Sequence, residues 1–494
     1  MPFESLSEFV EKLDKIGELK RVSVEVSAEL EIAEIMRRMM YSRNSPAILF
    51  ENVKGYSIPV LGNAFGSMKR LQIGLEMDDF SEIGNRIVDL TRMKIPSGML
   101  NRLKMLPKLS EIGDFGPKIV DSGPVTEVQD TNNPSLSDFP ILKSFEKDAG
   151  RFITFGMTIT KHPETGIRNI GVYRIQILND KQAIMHWQIH KRGAQHFQIS
   201  KDTDKPTEVA IVIGSDPSTI FSSIAPVPEG MDKFLFSGIS RKKGIKLVKC
   251  RTVDIEVPSN AEIVFEGIVD PNKLVLEGPF GDHTGYYTPP DYFPLFTLTG
   301  IMRRKNPIYL TTVVGKPILE DAYFGKVIER SFLPLIQMFQ PEVMDFSMPA
   351  AGWFQGLGII SIKKRYPGQA KKVMMGLWGL GQLALTKMFI VVDNDVDVHS
   401  MDEVIWAVTT RADPKRDTMI IDYMPTDTLD PSSPLVNLGS KLGIDATTKW
   451  KEEGYQRDIQ ELVKVDESTK QLVDSKWKLY GLNLENLSNL NNNL

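Results

Sequence analysis

One short stretch concentrates the residues able to do chemistry: EGPFGDHTGYYTPPD, from Glu277 to Asp291. Glu277 and Asp282 stand five apart around a Gly-Pro-Phe-Gly corner, which can fold the chain back so that both carboxylates face one space. Two like charges that close push one pKa upward, so one acid could stay protonated near neutrality. An arbitrary pair with this spacing is more often two solvated turn residues. Here Tyr286, Tyr287, Pro289 and Pro290 supply rigid, bulky walls, and strand alternation in NIGVYRIQ can turn Arg174 inward. On residue types alone, the expectation is a buried acid network.

The six histidines are His162, His186, His190, His196, His283 and His399, and three of them fall in MHWQIHKRGAQHFQ. By itself this cluster reads as imidazoles on a β surface or capping a turn. The chain has no Walker phosphate loop, zincin HExxH or GxSxG elbow, and GLWGLGQL lacks the third glycine of a dinucleotide fingerprint.

Elements must position these residues. Leu6, Phe9, Val10 and Leu13 recur at helical spacing, PAILFENV and IPVLGNAF read as short buried strands, and a helix starts near Ser81. Residues 106–140 are rich in Pro, Gly, Asp and Asn and mark a boundary. From Phe152 to Val314 the texture is β: FITFGMTIT, NIGVYRIQIL, AIMHWQI, EVAIVIG, IKLVKCRTVDIEVP, AEIVFEGIV, FPLFTLTGIMRR and PIYLTTVVG predict a barrel or sandwich. After Gly315, helical segments 321–339 and 368–380 alternate with GIISIKKRY and KMFIVVDND, and a capped helix starts at Ser400, which predicts an α/β layer. The last thirty residues are polar and read as loosely held.

At 494 residues the chain calls for two or three domains. Its 59 basic and 63 acidic side chains leave a net charge of -4, and no cationic run is interleaved with aromatics, which argues against nucleic acid as a partner. No segment reaches the length of an apolar spanning helix. Cys250 is the only cysteine, which excludes a disulfide framework or thiolate knuckle, and MPFESLSEFVEKL lacks the layout of a signal peptide. The expectation is a cytoplasmic protein, with peripheral association at the inner face of the membrane as a variant.

The blocks EGPFGDHTGYY, NIGVYRIQ, DPSTI, APVPEG, VKCRTVDIEVPSNAEIVFEG, IKKRYPGQAKKVMMGLW, VIWAVTTRADPKRDT and LGSKLGIDATTKW resemble the UbiD family of decarboxylases, in the 4-hydroxy-3-polyprenylbenzoate decarboxylase branch. The resemblance runs from about residue 5 to about residue 455. It implies an α+β, multidomain fold: an N-terminal mixed α/β region (1–115), a split β-barrel domain for prenylated FMN (116–318), a C-terminal α/β oligomerisation domain (319–462) and a polar tail (463–494). It also implies a divalent metal such as Mn2+ with K+ at the cofactor phosphate, a flavin prenyltransferase that supplies the cofactor, and a homo-oligomer between dimer and hexamer. The small-molecule substrate would be an aromatic or α,β-unsaturated acid, foremost a polyprenylated hydroxybenzoate of ubiquinone synthesis. The 22 methionines could line a pocket for its tail, although methionine is more often core filler.

Carried over residue by residue, the resemblance makes Asp282 the proton donor, Glu277 its network partner and Arg174 the orienting cation. Asn169 and His190 match metal ligands. Val172, Tyr173 and Arg174 match one flavin-contact run and His186, Trp187 and Gln188 a second, with Lys191 and Arg192 in the turn that follows. Lys387 matches a lysine that reaches the cofactor phosphate. The chain departs from the pattern at His186, where relatives carry arginine, and at Arg192, which replaces a glycine of HRGGA. Lys246 stands four residues before Cys250, where the pattern has a ligating glutamate. Three accounts of Lys246 stay open: it neutralises the phosphate itself, the metal recruits another carboxylate such as Glu229, or cofactor handling is altered. The last would suit a paralogue kept for assembly. A further alternative substrate is a phosphorylated enoic acid of isoprenoid synthesis.

Overall fold

The computed structural model describes residues 2–42, 45–92, 113–227, 230–316, 320–457 and 461–481. Glu229, the start of the 106–140 segment and the Asn-rich end of the chain lie outside them.

The first helix, Leu6–Lys15, is capped by Ser5, whose hydroxyl accepts from Glu8 N, and it buries Leu6, Phe9, Val10 and Leu13, the four residues of the helical repeat. Ala47–Phe50 and Val60–Gly62 form strands, and the Ser81–Thr91 helix follows. The small N-terminal sheet is completed from far along the chain, because Tyr309–Leu310 pairs in parallel with Val60–Gly62. PIYLTTVVG is therefore a short strand of that sheet rather than of the central one. One continuous hydrophobic core runs from Leu6 to Val327, so the N-terminal segment and the strand-rich middle pack as one unit.

The middle holds a seven-stranded sheet. Phe152–Lys161 pairs with Arg168–Ile177, which pairs with Gln182–Met185 and through it with Asp291–Arg303. Asp291–Arg303 also pairs with Ile263–Glu277, which reaches Phe152–Lys161 again through Thr207–Ile213, so the antiparallel pairing returns to its starting strand. The segment IKLVKCRTVDIEVP does not join. Its strands Lys246–Lys249 and Glu256–Pro258 form a separate three-stranded sheet with Lys118–Ile119.

Three helices interrupt the middle region, where the sequence texture predicted only strands: Arg192–Asp202, Pro217–Ile224 and Lys233–Arg241. The second is announced locally by Asp216, whose side chain accepts from Thr219 N, and by Pro217 at the first helical position. It is buried on nearly every side, so its composition carries no amphipathic stripe.

A 20-residue helix, Glu320–Phe339, leads out of this unit. Its Phe324 and Val327 belong to the main core, and its Ile336 to a second one. It crosses the Ser81–Thr91 helix at Gly84, where a Cβ would lie 2.1 Å from Ser331 O. The C-terminal unit is a five-stranded sheet whose inner strands Leu357–Ile362, Met388–Asp393 and Leu438–Ala446 are parallel. Alternate residues of these strands pack on the Gln369–Trp378 helix on one face and the Met401–Arg411 helix on the other, as an α/β layer requires. Among the described residues no helix is long and apolar enough to cross a membrane.

Candidate functional site

The Ile263–Glu277 strand ends at Glu277, opposite Asp291. Gly278 then takes a φ of +87°, which only glycine adopts at no steric cost, and the chain reverses into the short pair Phe280–Gly281 and Tyr287–Thr288 with Asp282 just beyond it. Asp148 pins this corner. Its carboxylate accepts from Gly281 N at 2.8 Å and from Phe145 N at 2.9 Å, while Gly278 N donates to Gln176 Oε1 at 2.8 Å.

Arg174, on the neighbouring Arg168–Ile177 strand, enters the space so formed. Its Nε and Nη2 grip Glu277 in a fork, at 2.8 and 2.9 Å, and its Nη1 donates to Asp282 Oδ2 and to Thr288 Oγ1, the latter at 3.0 Å. Its guanidinium lies over the Phe280 ring, 4.8 Å from the centroid. His186 Nδ1 donates to Glu277 Oε2 at 3.3 Å and its ring packs on Phe293. Glu277 is 0% exposed, and Arg174, His186 and Asp282 are buried with it.

The protonation states differ from the reading of two repelling acids. Burial would raise Glu277, but hydrogen bonds from His186 and Arg174 outweigh it and hold the carboxyl at about 2. Asp282 follows the same logic: burial raises it, and the charges of Arg174 and His283 pull it below the ordinary value. Neither acid is raised, because a guanidinium stands between them. His186 is held low, by burial first and the Arg174 charge second, so it is neutral. His283 is the reverse case. Burial opposes its charge, yet its bond to Asp321 and the charges of Asp321 and Asp282 lift it to about 9. His283 thereby ties the Glu277–Asp282 corner to the first turn of the Glu320–Phe339 helix.

A second cluster adjoins the first through consecutive residues. Tyr173 precedes Arg174, and its hydroxyl accepts from Asn169 Nδ2 and Gly193 N, each at 3.3 Å. Trp187 follows His186, and a Cβ on Gly193 would lie 3.0 Å from Trp187 Nε1, so the indole packs tightly against this first helical turn. Trp187 Nε1 and His186 Nε2 are both buried without a hydrogen-bond partner. Around Gly193 stand cations. Lys233 Nζ donates to Ser223 O at 2.7 Å and Arg192 Nη2 to Val227 O at 2.7 Å. Burial, with Arg192 and Lys191 nearby, lowers Lys233 to about 7. Lys441 Nζ, from the C-terminal unit, is buried without a partner, and Asp427 is the carboxylate that both Lys191 and Lys441 feel.

The structure thus brings together Arg174, Glu277, Asp282 and His186 in one network, and Asn169, Tyr173, Trp187, Lys191 and Arg192 in its neighbour, while Val172 and Gln188 are partly buried beside them. It does not bring Lys246 in. That side chain is exposed on the separate three-stranded sheet, opposite Lys118, and its charge is felt by Glu4. Nor is Lys387 free to reach outward, since its ammonium pairs with Asp430 at 3.1 Å and with Ser432. His190 is exposed on a turn. Among the described residues no group of three or more His, Cys, Asp or Glu side chains is placed to hold a metal; of the two residues matched to ligands, Asn169 is buried against Tyr173 and His190 is exposed. A flavin mononucleotide fits the residues present: the unpartnered imidazole nitrogen of His186 suits the ring, and the unpartnered indole N–H of Trp187 beside the cations suits a phosphate.

Sequence reasoning missed Lys233, Asp148, Thr288 and His283. For Lys233 a signal existed, since it is a lysine in the first turn of a helix, where the dipole favours acids.

Family models for 3-octaprenyl-4-hydroxybenzoate carboxy-lyase match the chain in order: the N-terminal domain over residues 10–87, the Rift-related domain over 118–317 and the C-terminal domain over 322–446. An uncharacterized protein of Archaeoglobus fulgidus is 50% identical over 478 residues, covering 97% of this chain and 98% of its own. Among solved structures, the vanillic acid decarboxylase of Sedimentibacter hydroxybenzoicus in closed form is 28% identical with a TM-score of 0.85, covering 97% of this chain and 99% of its own. In open form the same enzyme gives a TM-score of 0.76 at 27% identity. The UbiD-class enzyme HmfF of Pelotomaculum thermopropionicum, in complex with FMN, is 27% identical with a TM-score of 0.77, covering 94% and 98% of the two chains.

Proposed function

The chain belongs to the UbiD family of carboxy-lyases, and from that premise we propose that it is a prenylated-FMN-dependent, non-oxidative decarboxylase of an aromatic or α,β-unsaturated carboxylic acid. The observation that carries this reading is a buried guanidinium shared between Glu277 and Asp282, beside the unpartnered nitrogens of His186 and Trp187. When bound, the flavin supplies the electron sink that no side chain offers to the pair left when an sp2 carbon loses CO2.

The chain's own residues do the rest. Glu277, fixed by the two-point bond and by His186, keeps Arg174 in place and stays ionised. The Nη1 edge of Arg174, which meets Asp282, is where a substrate carboxylate competes for the guanidinium. Once Arg174 turns its charge to the substrate, burial dominates at Asp282 and raises its pKa, so it takes up a proton. The C–C bond to the carboxylate then breaks, CO2 leaves, and Asp282 delivers its proton to the carbon that held it. Thr288, which donates to Asp282 Oδ2 at 3.1 Å, orients that oxygen. Tyr286, Tyr287, Pro289 and Pro290, which the sequence cast as walls, are exposed; the apolar sides of the site are Phe280 under Arg174 and Phe293 against His186.

The finer reading is a polyprenylated hydroxybenzoate of ubiquinone synthesis, supported by the description of the matching family. With it go a flavin prenyltransferase as partner and the split-barrel description of the middle region, which the closed pairing circuit supports. A second reading, a phosphorylated enoic acid, is favoured by the number of cations: Lys191, Arg192, Lys233 and Lys441 exceed what one cofactor phosphate needs.

The test is co-expression with a flavin prenyltransferase, followed by absorption spectra and CO2 release on both acids. A coloured protein that releases CO2 from one of them supports the proposal and selects the substrate. A colourless protein that turns over neither sinks it.

A further inference from the structure

We propose that Lys233, with Lys191 and Arg192, forms a phosphate-monoester site that needs no divalent metal. The inference rests on the flavin reading only in naming one source of that phosphate, the cofactor; a phosphorylated substrate is the other.

The site is built rather than incidental. Lys233 is 9% exposed, and among the described residues its ammonium has one hydrogen-bond partner, the Ser223 carbonyl, which leaves two of its three protons to give. Arg192 donates to Val227 O, four residues beyond Ser223, so both cations grip the same short segment and are held side by side. Arg192 also opens an 11-residue helix whose N-cap, Lys191, offers no side-chain acceptor, and the positive end of that helix, where Gly193 N meets the Tyr173 hydroxyl, adds to the field of the cations. The independent observation is Trp187 Nε1, a buried indole donor with no partner, against Gly193 in the first turn of this helix.

The carboxylates nearby are committed elsewhere. Asp232, beside Lys233, takes the Arg168 guanidinium and the Phe234 amide. Asp427 is felt by Lys191, whereas the charges felt by Lys233 are those of Arg192 and Lys191. Clustered cations with idle donors, against which the described residues set only Asp427, felt by Lys191, are unfavourable unless a dianion joins them. A divalent cation would add to the surplus, and the donor set for one is not assembled among the described residues. A phosphate monoester answers both the charge and the donor count.

Binding of FMN and of riboflavin to the full-length chain, by fluorescence quenching with EDTA or with Mn2+, tests this. FMN should bind at least about tenfold tighter than riboflavin in EDTA, with Mn2+ changing that ratio less than about twofold. Lys233→Met should bring FMN down to riboflavin's affinity while riboflavin binding holds and the melting temperature does not fall; Arg192→Met should do so in part. If the two flavins bind alike, a phosphorylated enoic acid that raises the melting temperature more than its free alcohol, in wild type but not in Lys233→Met, assigns the site to the substrate. FMN binding lost in EDTA and restored by Mn2+ overturns the proposal, as does a phosphate preference that survives Lys233→Met. Failure of both flavins to bind overturns the flavin reading alone, and the acid arm then decides the phosphate site.

Discussion

The acid network and the cation cluster are neighbours, joined through Tyr173-Arg174 and His186-Trp187, yet they solve burial in opposite ways. In the first, two carboxylates share one guanidinium, a neutral histidine and a threonine, and each acid is held ionised by partners already present. In the second, Arg192 and Lys233 each hold a carbonyl oxygen, Lys191 feels the Asp427 carboxylate, and Lys233 is driven down toward neutrality. A network with matched charges is preorganised for a reaction, while one with surplus charge is preorganised for a ligand. That contrast can be broken at several points.

The largest effect is expected at Asp282, the proposed proton donor. Asp282→Asn keeps the shape and the Thr288 contact but removes the acid, so CO2 release should fall by about 10²- to 10⁴-fold with the flavin spectrum unchanged. Turnover within a factor of a few of wild type would remove Asp282 from the mechanism.

Next come the two cations, with opposite signs. Arg174→Met strands Glu277 and Asp282 without a counter-charge in a buried site, at a cost of about 3–5 kcal/mol, seen as a lower melting temperature. Lys233→Met, measured without flavin, removes an uncompensated charge instead and should leave the melting temperature equal or higher. If both variants lose stability alike, the two clusters are not different in kind.

The pH dependence separates them as well. The folded pKa of Glu277, about 2 against 4.5, is depressed, so its contribution is present above 4.5 and is lost as pH falls from there toward 2. Lys233, about 7 against 10.5, is also depressed, but as a base: the unfolded chain binds more protons between 7 and 10.5, so its penalty is full below 7 and is relieved as pH rises through that window. His283, raised to about 9 from 6.5, opposes that trend, adding stability that is lost as pH rises past 9. Melting curves of Lys233→Met should therefore differ from wild type most below pH 7 and converge toward pH 10.

The smallest effect belongs to Lys246. Exposed on its own sheet, it should tolerate Lys246→Ala within about 0.5 kcal/mol and without change in FMN affinity. Loss of FMN binding in that variant would restore it to the phosphate site.

How far the fold could be read in advance varies by element. Leu6, Phe9, Val10 and Leu13 predicted their helix because a 3.6-residue repeat faces one core, and the strands around Arg174 and Glu277 were readable from β-branched and aromatic runs. Pro217–Ile224 was not, since a helix buried all round shows no repeat. Tyr309–Leu310 was placed in the wrong sheet, because local pattern names a strand but not its partner. At the site, Arg174, Glu277 and Asp282 were named from a turn, an alternation and a family resemblance. Lys233 was passed over for Lys246, as both are lysines near short elements and only burial tells them apart.

The amino-acid order by itself determined which charges this protein owns, where the chain turns at Gly278, and which stretches are strand or helix, because steric and periodic rules act over a few neighbours. Tertiary structure alone decided which charges meet. It set Arg174 between two acids 103 and 108 residues away and so held them ionised, and it left Lys233 among cations. Desolvation and Coulomb interaction depend on distance in space, and a sequence carries only distance along the chain.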